Sequence, residues 1–166
     1  GGDGCRRLIA GAVALGVALT VLAPGETESP VNAMWLPFES DMALAGWRAD
    51  PDVRAGEPLS VDLYWMARRT PQEGYKVFLH LQSPQGEVLA QSDGDPVGGY
   101  THTTRMVAGQ VTCDSRLLTV PIGAQPGRHA LYAGLYRWPA VSNLPISGGE
   151  QAGEERALLG YVEVLP

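Results

Sequence analysis

The sequence predicts a mainly β protein, an antiparallel β-sandwich of Ig-like or jelly-roll-like type, preceded by one N-terminal transmembrane helix. Short runs of alternating apolar and polar residues recur about every ten residues, separated by turn signals and uninterrupted by any amphipathic helical period. The 21 Gly and 13 Pro are scattered along the chain, which suits many short strands with many turns. One long uncharged segment stands near the N-terminus. With 166 residues, 45% of them apolar and 18% charged, the chain is long enough for one domain with a real core.

Residues 1–7 read as a cytoplasmic stub, because Arg6 and Arg7 lie before the apolar segment, as the positive-inside tendency requires. From Leu8 to Ala23 the sequence LIAGAVALGVALTVLA carries no charge, and Pro24 stops it, which makes 8–24 the expected transmembrane helix. Its 16 uncharged residues fall just short of the roughly 17–25 of a spanning helix, and a secretory signal segment has a similar pattern. A buried helix is the third reading, weakened by the lack of a polar face. Residues 25–41 read as a linker, in which Met34, Trp35 and Leu36 either cap the sandwich or sit at the membrane interface.

The sandwich is expected over residues 42–166. Its first strand is placed at 42–48, followed by a turn at Asp50, Pro51 and Asp52. Residues 59–65 show the cleanest alternation, with Leu59, Val61, Leu63 and Trp65 inward and Ser60, Asp62 and Tyr64 outward. The stretch YKVFLHLQSPQGEVLAQSDGD, from Tyr75 to Asp95, reads as the central hairpin. Tyr75, Val77, Leu79 and Leu81 share one face, Lys76, Phe78, His80 and Gln82 the other. Ser83-Pro84-Gln85-Gly86 supplies the turn, with proline early and glycine late. Further strands are expected at 110–120, 129–138 and 158–165, with loops at 94–109 and 139–153.

Charge excludes one class of partner. The net charge is −6 and lysine occurs once, at Lys76, so no basic stripe exists to neutralise nucleic-acid phosphates. Setting aside Asp3, Arg6 and Arg7 leaves 17 acids and 10 bases, net −7, which disfavours anionic lipid surfaces. Cys5 and Cys113 flank the expected span, so no disulfide within the chain is expected and Cys113 reads as a small buried residue.

An ordered run of landmarks carries a resemblance. Leu63-Tyr64-Trp65 is followed by Tyr75-Lys-Val-Phe-Leu-His-Leu81, then by Gln91-Ser-Asp93, Asp95-Pro96 and Gly98-Gly99. Thr103-Thr104-Arg105, Gly109, Asp114, Pro126-Gly127 and Gly134-Leu-Tyr136 complete it. The run resembles the C-terminal extracytoplasmic β-sandwich domain of bacterial polytopic glycosyltransferases of the protein-mannosyltransferase type, which use polyprenyl-phosphate sugars. The likeness covers residues 42–166. Three places depart from the family pattern: His102 stands for proline, Met106 for tryptophan, and Asn143-Leu144 for Arg-Leu. The resemblance implies an appended domain without transferase activity, since catalysis in such enzymes belongs to the membrane-embedded part.

No catalytic motif is present: there is no Gly-x-Ser-x-Gly elbow, Cys-x-x-Cys pair or phosphate loop. Asp62 and Asp114 are a formal carboxylate pair for glycoside hydrolysis, if their side chains face one another. Asp93, Asp95 and Asp114 offer oxygen ligands to calcium, or else Asp93 and Asp95 cap turns. No other cofactor is implied. His80, His102 and His129 are scattered, and His80 reads as a hydrogen-bonded sheet residue. Trp138, Tyr136, Tyr100 and Trp47 are candidates for a sugar-stacking platform, or else core and rim aromatics. The candidate ligand-binding set is Tyr100, Thr103, Arg105 and Trp138, on loops 94–106 and 138–149 that form an edge facing a glycan or lipid head group.

The resulting expectation is a non-catalytic, membrane-anchored accessory domain outside the cytoplasm. Its partners would be membrane lipid through residues 8–23, and a glycan or another membrane protein. The alternatives are a structural single-span subunit of a larger assembly and a secreted carbohydrate-binding module.

Overall fold

A computed structural model describes residues 29–166. Two β-sheets pack face to face. The smaller holds β1 (Asn32–Pro37), β2 (Met42–Ala49), β4 (Pro58–Ala67) and β7 (Val111–Thr119), in the order β1-β2-β4-β7. The larger holds β3 (Asp52–Arg54), β5 (Tyr75–Gln82), β6 (Val88–Gly94), β8 (Gly127–Arg137) and β10 (Ala157–Leu165), in the order β3-β10-β8-β5-β6. A short β9 (Ser142–Asn143) pairs with the end of β8.

The period-two pattern places the core. Leu59, Val61, Leu63 and Trp65 of β4 all point inward and are almost fully buried. Across from them stand Val77, Leu79 and Leu81 of β5 and Leu131, Ala133 and Leu135 of β8. Trp65 closes one end of this core against Phe38, their ring centroids 5.8 Å apart and tilted. The hairpin forms as expected, with Leu79 opposite Ser92 and Leu81 opposite Ala90. Its turn closes through the Gly86 amide donating to the Ser83 carbonyl, with Gly86 at φ +89°, a conformation glycine adopts without steric cost.

Four expectations are corrected. The stretch 25–41 is not linker throughout, because residues 32–37 form β1, which pairs with β2 and buries Leu36. The larger sheet is not wholly antiparallel: β3 runs parallel to β10, Val53 beside Val164, where the chain leaves β2 and crosses to the other sheet. Asp62 and Tyr64 point away from the core yet are buried. Asp62 lies in register between Arg48 of β2 and Ser115 of β7, taking the Arg48 guanidinium at 2.7 Å and the Ser115 hydroxyl. Trp47 is no platform residue, since it lies in the core against Gly160, where an added Cβ would come within 2.6 Å of the indole.

Cys113 is also corrected: it is half-buried and disulfide-bonded, with its bonding partner outside the described residues. Among the described residues, no helix is long and apolar enough to cross a membrane, and the expected span 8–24 lies outside them.

The strand directions define two ends. The chain enters beside Asp50, to which the Ser29 hydroxyl donates at 2.9 Å. The ends of β2, β5, β7 and β10 and the starts of β4 and β8 gather there, at the root. The start of β5, the end of β8 and the loops 95–110 and 138–149 form the opposite end, the tip.

Candidate functional site

The tip is built on Tyr75, the first residue of β5, which pairs with Arg137 of β8. A single 3-10 turn, Thr103–Arg105, docks onto it. The Thr103 hydroxyl accepts the Tyr75 amide at 2.9 Å and donates to the Glu73 carbonyl at 3.2 Å, so Thr103 is buried and fully engaged. It holds the loop in place instead of facing solvent. Arg137 reaches Glu73 at 3.1 Å beside the same strand end.

The preceding loop is fastened from both sheets. Asp95 takes the Lys76 ammonium at 2.6 Å and lies 3.3 Å from His102 Nδ1. The Val97 amide donates to Asp114 at 2.8 Å. Beneath the loop, Arg116 and Asp114 of β7 form a buried ion pair at 2.8 Å. The remaining Arg116 donors go to the carbonyls of Ser92, Gly94 and Asp95. This guanidinium therefore stitches the edge of the smaller sheet to the edge of the larger one. The alternation of Asp114, Arg116 and Leu118 places all three on the inward face of β7, where Asp114 serves Arg116 and not the expected calcium or carboxylate partner.

Fastened in this way, the loops lift two aromatic rings into solvent. Tyr100 is 89% exposed and Trp138 64% exposed, with Val107 and Val141 beside them on the same loops. Arg105 is exposed at the end of the 3-10 turn. Val97 and Val141 adopt φ of +56° and +50°, which β-branched residues avoid. For Val97 the hydrogen bond to buried Asp114 offsets that strain. Tyr100, Arg105 and Trp138 thus share one end, above a buried Thr103.

The other sequence candidates are engaged with partners. Asp95 faces Lys76 and Asp114 faces Arg116, while Asp93 stands 3.4 Å from His80. The buried Nε2 of His80 makes no hydrogen bond among the described residues, contrary to the expected hydrogen-bonded sheet residue. Among the described residues, no group of three or more acidic, histidine or cysteine side chains is arranged to hold a metal. Asp62 and Asp114 cannot work as a hydrolytic pair: Asp62 is in register with Ser115 on the outer face of the smaller sheet, while Asp114 is in register with inward Leu63. His129 is buried, its Nδ1 2.8 Å from the Gly127 carbonyl.

On the outer face of the larger sheet, the Phe78 ring packs on Gly134 through its Cζ and Cε1 atoms, flanked by His80 and Tyr136 at centroid distances of 5.0 and 6.4 Å. Arg156 covers Tyr132, and Arg128 covers Tyr161. Burial pushes the phenols of Tyr136 and Tyr75 above their ordinary range, aided by Asp93 and Glu73 respectively. Phe78, Tyr136 and Tyr75 are buried, in contrast to Tyr100 and Trp138, while Tyr161 is 46% exposed beneath Arg128.

No family model and no curated protein matches the chain. Among solved structures, the crystal structure of the C-terminal domain of Wzt is similar, with 9% sequence identity and a TM-score of 0.53 over 85% of this chain and 80% of that one. A β-glucosidase from Listeria innocua, solved with glucose, matches at 14% identity and a TM-score of 0.45 over 78% of this chain and 16% of its own. A mutant of that enzyme solved with laminaribiose gives 16% identity and a TM-score of 0.44. The likeness to the Wzt domain is one of fold: two packed sheets, matched over most of both chains.

Proposed function

We propose that the chain is a non-catalytic glycan-binding accessory domain, working outside the cytoplasm and anchored by residues 8–23 to a membrane protein of glycosyltransferase type. The observation that carries this reading is the tip, where Tyr100, Trp138 and Arg105 stand in solvent and the loop of Tyr100 and Arg105 is held by the Val97–Asp114 and Tyr75–Thr103 hydrogen bonds. Flat aromatic faces stack on sugar rings with little loss of side-chain entropy, and a guanidinium donates to hydroxyl or carboxylate oxygens. The resemblance over residues 42–166 supports the attachment to a transferase, and the sandwich fold is compatible with it. Absence of bond-making is part of the proposal, supported by the engagement of Asp62, Asp95 and Asp114 in ion pairs.

The test is a titration of the full chain in detergent with mannan, dextran and alginate, following tryptophan emission. A saturable change that disappears in W138F is expected. A flat response to all three overturns glycan binding. The same samples titrated with calcium and then chelator decide the metal: heat and a shift in melting would bring Asp93, Asp95 and Asp114 back as ligands.

Cys113 supports the compartment, since disulfides persist in oxidising surroundings. It also favours a second reading. If its partner is Cys5, the chain's other cysteine, both lie on one side of any membrane and residues 8–23 do not cross it. The chain is then a secreted carbohydrate-binding module. Non-reducing gels of the chain and of C5S, combined with carbonate extraction of membranes, separate the two. A bond within one chain in an extractable protein selects the second.

A further inference from the structure

We infer that the tip carrying Tyr100, Arg105 and Trp138 points away from the bilayer and takes a stretch of glycan chain lying in the aqueous phase, not a lipid head group or a sugar still close to its lipid carrier. This rests on the anchored reading above, in which Cys5 lies across the membrane and Cys113 bonds a cysteine outside this chain. Exposed tryptophan and tyrosine also suit a membrane interface, so the rings alone leave two occupants open. Chain geometry separates them.

The chain enters the sandwich at the root, where Ser29 donates to Asp50 and Asn32 pairs with Trp47. The tip lies at the other end of β8, whose 11 residues span roughly 33 Å at about 3.3 Å per step. Only six steps connect Ala23, the last residue of the apolar segment, with Ser29, and fully extended they reach about 20 Å. An inverted sandwich, tip on the membrane, would hold Ser29 about 33 Å above the surface, farther than those six steps extend. A sandwich lying on its side is disfavoured on anionic membranes by its net −7 beyond the apolar segment. The upright arrangement remains. It puts exposed Ile122, in the turn between β7 and β8, on the membrane side and Trp138 on the far side.

The test uses the full chain reconstituted into vesicles of phosphatidylcholine and phosphatidylglycerol that carry a dansyl-labelled lipid head group. Energy transfer from tryptophan to dansyl is compared among wild type, W138F and I122W, both substitutions being at exposed positions. W138F should leave transfer unchanged, I122W should raise it several-fold, and mannan or alginate added outside should still change Trp138 emission. A fall in transfer in W138F, no rise in I122W, or loss of the glycan response on vesicle binding overturns the inference. Glycan binding in detergent would survive any of those results, so the proposed function fails separately, through a flat detergent titration. A chain that does not float with the vesicles removes the anchor and overturns this orientation with it.

Discussion

The buried seam between β6 and β7 and the exposed tip above it draw on neighbouring stretches of chain, yet they treat polar groups in opposite ways. In the seam, Asp114 and Arg116 are almost inaccessible, and the guanidinium meets one carboxylate and three backbone carbonyls. At the tip, Tyr100, Trp138 and Arg105 lie in solvent. The seam's charges face each other because a buried charge without a partner is costly. The tip's groups bear no such constraint, and ring faces open to water are available to a ligand. Engagement separates groups that hold the fold from groups free to recognise something.

The comparison breaks most readily at the seam. D114A or R116A should each lose about 3–5 kcal/mol, read by urea unfolding, because each strands a buried charge. The double replacement D114L/R116M should recover only part of the loss, because the Val97 amide and the carbonyls of Ser92, Gly94 and Asp95 still lose their partners. If the single variants unfold near the wild-type midpoint, the seam is not what fastens the loop.

A smaller effect is expected where the tip is bolted down. T103V should cost about 1–3 kcal/mol by leaving the Tyr75 amide without its acceptor, and should also weaken any glycan response by loosening the 3-10 turn. G134A probes the outer face on a similar scale: an added Cβ would lie 2.4 Å from Phe78 Cζ, costing about 1–3 kcal/mol, with F78L relieving part of it.

At the tip itself, Y100A, R105Q and W138A should change stability by less than about 0.5 kcal/mol. Binding should fall by more than about 1 kcal/mol for Y100A or W138A. A tip variant that unfolds the protein, or leaves glycan binding unchanged, removes the distinction drawn above.

The smallest effect is one of pH. Tyr75 and Tyr136 are pushed above their ordinary value of 10.0 by burial, so the folded state holds these protons more tightly than the unfolded one. Their contribution is fully present below about pH 10 and is lost as pH rises through the folded values. The urea midpoint should therefore fall from about pH 10 upward, and more gently in Y75F and Y136F. An unchanged slope in both variants rules out this origin.

Much of the sandwich was legible because a half-buried strand writes its burial into a period of two. The inward row of β4, the central hairpin and the glycine turn after Gln82 all follow from alternation and turn chemistry. Strand β1 was missed because NAMWLP alternates poorly, and pairing with β2 makes it a strand. Asp62 and Tyr64 were misread because alternation tells which face a residue occupies, not whether that face stays wet.

For the tip, the sequence named Tyr100, Arg105 and Trp138 and set loops 94–106 and 138–149 on one edge, but not the contacts that hold them there. Those depend on Thr103 reaching Tyr75, 28 positions away in the chain, and on Tyr75 pairing with Arg137. Local order, set by side-chain period and backbone preference, is a property of the sequence alone. Which loops meet, which charges find partners and which rings stay in solvent depend on contacts between distant residues, and only the packed sheets supply those.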